Sequence, residues 1–323
     1  MYDLVIQNAR MCEGTGKPSF IGTLGVTDGQ ITYLGRETGL SAQRTIDPDG
    51  LVLAPGFIDP HTHYDAQIAW DPLLTSSPWH GVTTVVMGNC GVGVAPVKPE
   101  TRDILMHDLV NVEAIPYDVM QAGIDWRWES YGEYLDTIDQ RGKTIHEVAD
   151  LQGKQPIEAY LDLAIADDLQ TRYQGALFNY DQAGVERLVT DDRFLIGLSD
   201  GGAHVDFLCD AGYATAVLDI WVRQREALTL EKAVHKLTAV PAALFGIPNR
   251  GVLAEGKVAD LVLFDPTTVA AQAPEYAYDF PRQGRRLIAR SEGIIATFVA
   301  GTQVYEHSTH TGALPGRILR SYE

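Results

Sequence analysis

Residues 54–65 read Ala54-Pro55-Gly56-Phe57-Ile58-Asp59-Pro60-His61-Thr62-His63-Tyr64-Asp65, a short apolar run that ends in two histidines separated by one residue. In an extended strand, residues i and i+2 point the same way, so His61 and His63 would face one side. Two imidazoles at the end of a strand can hold one divalent metal ion. Pro55 and Pro60 disfavour a helix. The pattern alone also fits two surface histidines in a loop.

Two further segments place residues suited to metal chemistry directly after apolar runs. Cys90 follows the run Thr83–Gly88, and Asp200 follows the run Phe194–Ser199. At the C-terminal end of a barrel strand, a carboxylate can bind a metal and transfer a proton. An aspartate in the position of Asp200 equally suits a helix N-cap. A lone cysteine such as Cys90 is more often a small buried apolar residue than a ligand.

Together these segments resemble the amidohydrolase superfamily, and within it the N-acyl-D-amino-acid deacylases. The resemblance covers nearly the whole chain in order and is carried by residues 56–63, 77–91, 196–204 and 312–317. It implies an α/β fold, a (β/α) barrel of the TIM type, with a small β-sandwich built from both chain ends. The implied boundaries are 1–52 and 248–323 for the sandwich and 53–247 for the catalytic barrel.

The resemblance also implies a zinc site and assigns roles to single residues. The expected ligands of one or two Zn²⁺ ions are His61, His63, Cys90 and Asp200. We expect three further residues to contact the substrate or to support the ligands: Asn89, Gly201 and His204. A structural, hydrogen-bonded histidine is an equally good interpretation of His204. Cys90 could also be a nucleophile, but the sequence has no convincing His and Asn partner pattern for it.

The barrel is expected to be incomplete. Strand patterns at Leu51–Ile58, Thr83–Gly88 and Phe194–Ser199 match its first, second and last strands, and Ala176–Tyr180 could be one more. A barrel of this kind takes ~250 residues, more than 53–247 provides. An internal deletion is expected near 142–143, where the chain skips a long family segment that carries two further zinc-binding histidines. Unpaired strand edges would then be exposed, and pairing with another copy of the chain is one way to cover them.

Other periodic patterns outline the remaining elements. Strands are predicted at Asp3–Asn8, Gly22–Thr27, Gln30–Leu34, Ala259–Asp265 and Gly293–Gly301. Helices are predicted within Ile104–Met120, Trp126–Asp139, Thr144–Asp150, Ile157–Ala166, Ala214–Arg225 and Leu230–Leu237. The alternation of strands and helices in the middle of the chain favours a parallel sheet with helices outside it.

The composition excludes several classes of function. The formal net charge of −18 over 323 residues disfavours nucleic acids and anionic membranes, because both are bound through Lys and Arg. No apolar run reaches the ~18–20 residues that a membrane span needs, and Met1–Ile6 lacks the features of a secretory signal. Three dispersed cysteines do not form a disulfide framework, so a cytoplasmic protein is expected.

The expected reaction is metal-assisted hydrolysis of a linear amide. A metal ion lowers the pKa of bound water from ~16 toward ~7, and Asp200 would accept the proton and return it to the leaving amine. The substrate implied by the resemblance is a small N-acyl-D-amino acid, cleaved to a carboxylate and a D-amino acid. One alternative is a cyclic amidase of the hydantoinase or dihydroorotase kind, although no lysine lies in the context of the metal-bridging lysine of those enzymes. Another is a catalytically silent, internally deleted relative that serves as a binding module.

Overall fold

The computed structural model describes residues 1–91, 93–124, 126, 128–129 and 181–319. Its strands are β1 Tyr2–Met11, β2 Phe20–Thr27, β3 Gln30–Gly35, β4 Ala42–Ile46, β5 Val52–Pro55, β6 Phe57–Thr62, β7 Val82–Met87, β8 Leu261–Phe264, β9 Ala270–Ala271, β10 Glu275–Phe280, β11 Gly284–Ile288, β12 Ser291–Glu292, β13 Ile294–Val299, β14 Thr302–Glu306 and β15 Thr309–His310. Its α-helices are α1 Tyr64–Gln67, α2 Arg102–Glu113, α3 Tyr117–Gly123, α4 Gln182–Thr190, α5 Tyr213–Ala216, α6 Leu230–Leu237 and α7 Ala239–Leu244.

Strands from both ends of the chain share one nine-stranded sheet. Its order is β15-β14-β13-β8-β5-β1-β2-β3, and β4 also pairs with β1. The hairpin between β2 and β3 turns at Asp28 and Gly29, whose φ values of 51° and 74° are typical of a type I′ turn. The five strands predicted near the two chain ends are thus confirmed. The division of the chain into a sandwich domain and a barrel domain stays a prediction.

The chain passes from this sheet to a second one at Gly56. The Gly56 N–H donates to Asp260 O beside β8, whereas the next N–H, of Phe57, donates to Gly81 O just before β7. A Cβ on Gly56 would lie 2.2 Å from the Thr83 hydroxyl oxygen, so this crossing needs glycine. The prediction of one strand over Leu51–Ile58 is therefore wrong: β5 belongs to the terminal sheet, and the barrel-type strand is β6.

The second sheet carries the histidine motif. β6 and β7 are parallel, with Phe57 opposite Val82 and Thr62 opposite Met87. The strand predicted at Thr83–Gly88 is confirmed as β7. Within the described residues, this sheet contains two strands and does not close into a barrel.

The segment Phe194–Ser199 does not form the buried strand that its apolar sequence predicts. Phe194 and Leu198 are about half exposed, and Leu198 has a φ of 107°, which interrupts an extended backbone. Pairing with the second sheet is limited to one isolated parallel bridge between Thr62 and Gly201. A single bridge cannot hold the segment as a regular strand, although it brings the residues after Ser199 to the end of β6.

Helices cover the sheets and complete the apolar core. α6 confirms the helix predicted at Leu230–Leu237. α2 and α3 cover most of the predicted helical region Ile104–Met120 and extend two residues before it and three residues beyond it. The helix predicted over Ala214–Arg225 begins as α5 and continues as a π-helix over Val217–Gln224, where the Arg225 N–H bonds Ile220 O.

Several predictions fall outside the described residues. These are the helices at Thr144–Asp150 and Ile157–Ala166, nearly all of the helix at Trp126–Asp139, the strand at Ala176–Tyr180, and the join near 142–143. In the part of the chain that is described, none of the helices combines the length and the apolar character needed to cross a membrane.

His80, just before β7, is a fully buried histidine that connects distant parts of the chain. Its Nδ1 lies 2.8 Å from the Thr215 hydroxyl, and its Nε2 donates to Ala289 O at 3.0 Å. Burial lowers the pKa of His80 to about 4. The folded protein therefore keeps this imidazole neutral over a pH range in which an unfolded chain would protonate it.

We predict that the His80 contribution to the free energy of unfolding falls as the pH drops from about 6.5 to about 4. In this window the unfolded chain binds a proton that the folded chain does not, so stability decreases by about 1.4 kcal/mol per pH unit from this group. Urea unfolding between pH 7 and pH 4.5 measures the slope. His80→Gln should have a shallower slope, whereas the exposed control His107→Gln should keep that of the wild type. Equal slopes for His80→Gln and the wild type would contradict the prediction.

Candidate metal centre

The two histidines of the opening motif lie side by side at the end of β6. Their ring centroids are 5.2 Å apart, and the rings are inclined by 66°. His63 is buried, and His61 is partly exposed. The i, i+2 spacing therefore brings both imidazoles to one side of the strand end, as the sequence predicts.

Asp200 faces both histidines. Its Oδ1 lies 3.5 Å from Nε2 of His61 and 3.5 Å from Nε2 of His63. These distances exceed the 2.7–2.9 Å of charge-assisted hydrogen bonds. Two ligands that each lie 2.0–2.1 Å from a tetrahedral zinc ion are, by contrast, about 3.4 Å apart. Each of the two distances from Asp200 Oδ1 is therefore close to the distance between two ligands of one zinc ion.

Cys90 joins the same group from the neighbouring strand. It follows β7 by three residues, and its Sγ and the ligand nitrogens of His61 and His63 all lie within 4.8 Å of one another. The cysteine is exposed, so its sulfur is accessible. Two imidazoles, a thiol and a carboxylate make a donor set that suits Zn²⁺. The structure thus brings Cys90 to both histidines, and Asp200 faces the same two histidines. The role of all four residues as ligands stays a prediction.

A backbone hydrogen bond brings the Asp200 segment to the histidines. The His63 N–H donates to Gly201 O at 2.8 Å. The buried Asp59 carboxylate adds weaker contacts, because its Oδ1 lies 3.3 Å from the His61 N and 3.4 Å from the Ser199 N. Burial raises the pKa of Asp59 to about 7. One side chain of β6 therefore connects the histidine motif to the segment that carries Asp200.

The turn after Asp200 depends on a close approach of two backbones. Gly202 has a φ of 92°, and a Cβ there would lie 2.5 Å from the His63 carbonyl oxygen. Asp200 itself has a φ of 48°, in the left-handed region that aspartate tolerates better than most residues. The Asp200-Gly201-Gly202 sequence thus allows the loop to pass directly over the strand end.

The three predicted supporting residues lie in different settings. The Asn89 side-chain amide donates to Pro60 O at 2.9 Å, which ties the end of β7 to β6. Gly201 packs so closely that a Cβ would lie 2.7 Å from the Tyr64 ring. His204 reaches the site, with its Nε2 4.0 Å from Asp200 Oδ2. Contacts of these residues with a substrate stay a prediction.

Glu113, the last residue of α2, is a site residue that the sequence-based interpretation missed. Its Oε1 lies 3.4 Å from His63 Nδ1, and its Oε2 lies 3.8 Å from His204 Nε2. The glutamate side chain is only 2% exposed, although it carries a carboxyl group. A signal was present in the sequence: an acidic residue on the apolar stripe of a predicted helix, where a buried packing residue is expected.

The close packing of charged groups shifts their pKa values in different directions. Burial, followed by the charge of His63, lowers the pKa of His61. Burial also acts to lower the pKa of His63, but the contact with Asp200 and the charge of Glu113 outweigh it, so the pKa rises. The contact with His63 lowers the pKa of Asp200, whereas burial raises that of Glu113. Asp200 is therefore the carboxylate of this group that is held in its ionised form.

Comparison with protein families agrees with the motifs. A model described as "Amidohydrolase family" matches residues 44–143 and 111–305, in two overlapping segments. The chain belongs to the amidohydrolase family. It is 33% identical to the D-aminoacylase of Alcaligenes xylosoxydans xylosoxydans, with 98% of this chain and 97% of that protein covered. The N-acyl-D-aspartate deacylase of the same organism is 25% identical, with 98% and 95% covered.

The lengths of these alignments can be compared with the internal deletion that the sequence predicts. The match to D-aminoacylase extends over 492 aligned positions, against 323 residues in this amidohydrolase, a difference of 169. At least that many aligned positions therefore have no counterpart in the chain. A protein of Mycobacterium tuberculosis of uncharacterized function is 35% identical over 144 residues, which cover 43% of this chain and 23% of that protein. The chain thus spans about a quarter of the mycobacterial relatives that it matches.

Solved structures show that the fold is that of the amidohydrolases. A D-aminoacylase, studied for its binuclear metal centre, matches with a TM-score of 0.62 at 21% identity, over 98% of this chain and 99% of that one. The N-acyl-D-glutamate deacylase of Bordetella bronchiseptica matches with a TM-score of 0.61 at 20% identity, over 94% and 96% of the two chains. That enzyme is complexed with zinc and a phosphonate inhibitor that mimics the tetrahedral intermediate of its reaction.

We predict that Gly202→Ala lowers the free energy of unfolding of this amidohydrolase by more than the cost of placing alanine at positive φ. Alanine at positive φ costs about 1–2 kcal/mol, and its Cβ would also collide with the His63 carbonyl. Gly256→Ala is the matched control, because Gly256 has a φ of 84° and no atom within 4 Å of an added Cβ. The free energies of unfolding of both variants, from urea titration, should differ by at least about 1 kcal/mol. Equal losses would show that the loop does not need the close approach.

Proposed function

We propose that this amidohydrolase cleaves linear amide bonds, with N-acyl-D-amino acids as substrates, and releases a carboxylate and a D-amino acid. The observation that carries the proposal is the equal 3.5 Å spacing of Asp200 Oδ1 from Nε2 of His61 and of His63. The relationship to D-aminoacylase at 33% identity supports the reaction class. Substrate and stereochemistry are carried over from that relative and belong to the proposal.

The donor set fits a zinc ion better than it fits a network of hydrogen bonds. The contacts from Asp200 to the histidines are too long for strong hydrogen bonds, and Cys90 Sγ lies beside both imidazoles. His61, His63, Cys90 and Asp200 would hold the ion. A bound zinc ion would supply Lewis acidity for the attacking water and for the scissile carbonyl.

Asp200 has the properties of the residue that moves the proton. Its lowered pKa keeps it ionised at neutral pH, so it can accept a proton from the attacking water. A C–O bond then forms, the C–N bond breaks, and the same proton passes to the departing nitrogen. An amine is a poor leaving group until it is protonated, so one carboxylate that acts first as base and then as acid fits the reaction.

A narrow cleft opens beside Asp200. It is lined by Asp200, Gly202, Tyr64, Ser76, Asp210 and Arg286, among other residues. Its cavity volume is about 20 Å³, which is enough for about one water molecule. The cleft therefore offers a water-sized space next to the proposed proton carrier.

The first test is metal content together with release of amine. Full-length protein loaded with zinc and freed of excess metal should retain about one equivalent or more. It should release amine from N-acetyl-D-amino acids faster than from their L enantiomers, which are the matched control. Less than about a tenth of an equivalent of zinc, together with no amine release, would contradict the enzyme function and favour a silent binding module. Opening of a hydantoin or dihydropyrimidine ring without deacylation would favour the cyclic amidase.

The second test replaces the proposed proton carrier. Asp200→Asn should lower kcat by about 10²–10⁴-fold, the usual contribution of general acid–base catalysis. Asp49→Asn is a matched control, because the exposed Asp49 has a φ of 49°, close to the 48° of Asp200. Circular dichroism checks that both variants are folded. Turnover by Asp200→Asn at the rate of the wild type would remove Asp200 from the mechanism.

A further inference from the structure

Glu113 occupies a position that is unfavourable for a carboxylate on structural grounds. It ends α2, and negative charge at the C-terminal end of a helix opposes the helix dipole. It also continues the buried stripe formed by Met106 and Leu109 on the same helix. Burial of a charged group costs free energy unless the group is paired. An apolar residue would pack this position better, so the carboxylate needs another explanation.

The contacts of Glu113 point to the two histidines beside it. Oε1 faces Nδ1 of His63 at 3.4 Å, which is the ring nitrogen opposite to the one that faces Asp200. Oε2 lies 3.8 Å from His204 Nε2 and has no hydrogen-bond partner among the described residues. The buried carboxylate therefore lies between two imidazoles, and its clearest contact is with the far nitrogen of a candidate zinc ligand.

We propose that Glu113 is a positioning residue that holds the His63 ring with Nε2 toward the metal site. The inference rests on the proposed zinc site and extends it. A carboxylate that accepts the Nδ1–H of a histidine fixes both its tautomer and its ring orientation, and it makes Nε2 a better donor to a metal. Glu113 in this role neither touches the substrate nor binds the metal.

The position of the helix end supports this role. The residue after Glu113, Ala114, takes a left-handed conformation with a φ of 52°, and its N–H bonds Leu109 O, so α2 stops at the site. His63 is itself buried, and its two ring nitrogens face two different carboxylates. Rotation of the ring by half a turn would put ring carbons where the two nitrogens now lie, and the contact with Glu113 opposes that rotation.

Zinc affinity is the main readout, measured by competition with a chelator of known affinity. Glu113→Gln and Glu113→Ala should bind zinc about 10–100-fold more weakly than the wild type, the usual loss when a supporting partner of a ligand is removed. Asp108→Asn is the matched control, because it removes one exposed carboxylate from the same helix. Its affinity should equal that of the wild type. A wild-type affinity in both Glu113 variants would overturn the proposal.

Thermal unfolding of the metal-free proteins separates positioning from a structural role. Removal of a buried charge that only supports a ligand should leave the Tm of Glu113→Gln unchanged or higher. A Tm loss of more than a few degrees with an unchanged zinc affinity would assign Glu113 a structural role and overturn the proposal.

A measurement on the wild type avoids dependence on variants that fail to fold. Long-range ¹H–¹⁵N correlation spectra of ¹⁵N-histidine-labelled protein at pH 8 report which His63 nitrogen carries the proton. We expect the Nδ1–H tautomer, both without metal and with zinc bound. The Nε2–H tautomer in the metal-free protein would overturn the proposal even if zinc binds. Absence of zinc binding by the wild type would instead contradict the proposed function, and the tautomer would still decide the role of Glu113.

Discussion

The hydrogen bond from the His63 N–H to Gly201 O is the contact on which the candidate centre depends. It joins the end of β6 to a segment more than a hundred residues later in the chain, and Asp200 directly precedes the accepting residue. The Thr62–Gly201 bridge and the Asp59 carboxylate strengthen the same connection. Because the connection is made largely by backbone, the side chains of His61, His63 and Asp200 remain available to face one another.

The second constraint is electrostatic. Three carboxyl groups, those of Asp59, Glu113 and Asp200, lie close to His61 and His63. Burial raises the pKa of Asp59 to about 7 and also raises that of Glu113, because the charged carboxylates lose solvation by water. Oδ2 of Asp59 and Oε2 of Glu113 have no hydrogen-bond partners among the described residues. Such an arrangement costs stability, and a bound divalent cation would offset the like charges.

The extent to which the site could be predicted differs from residue to residue. His61 and His63 were predictable because a period of two places them on one side of a strand, whatever the rest of the fold does. Their approach to Cys90 and Asp200 was expected from family resemblance alone, since sequence spacing contains no information about contacts between segments this distant. Glu113 was missed because a residue on the apolar stripe of a helix is expected to pack in the core. Its role became visible only when the structure placed His63 and His204 beside it.

The elements of the fold also differ in how well they could be predicted from the sequence. Local sequence patterns were sufficient to predict β1, β2, β3, β7 and α6. Side-chain alternation, a turn with two residues at positive φ, and a helical apolar face each depend only on residues that are near one another in the sequence. The change of sheet at Gly56 and the irregular course of Phe194–Ser199 do not follow from such patterns. Both depend on neighbours, Thr83 and Asp260 in the first case and the single bridge to Thr62 in the second.

The sequence by itself determined the family and the paired imidazoles at the strand end. These are properties of residue order. Only the tertiary structure decided that Asp200 lies equally far from both imidazoles, that Gly202 passes over the His63 carbonyl, and that Glu113 enters the site. The physical reason is that a metal centre is a set of distances between distant segments, and those distances are set by how the backbones pack and bond to one another.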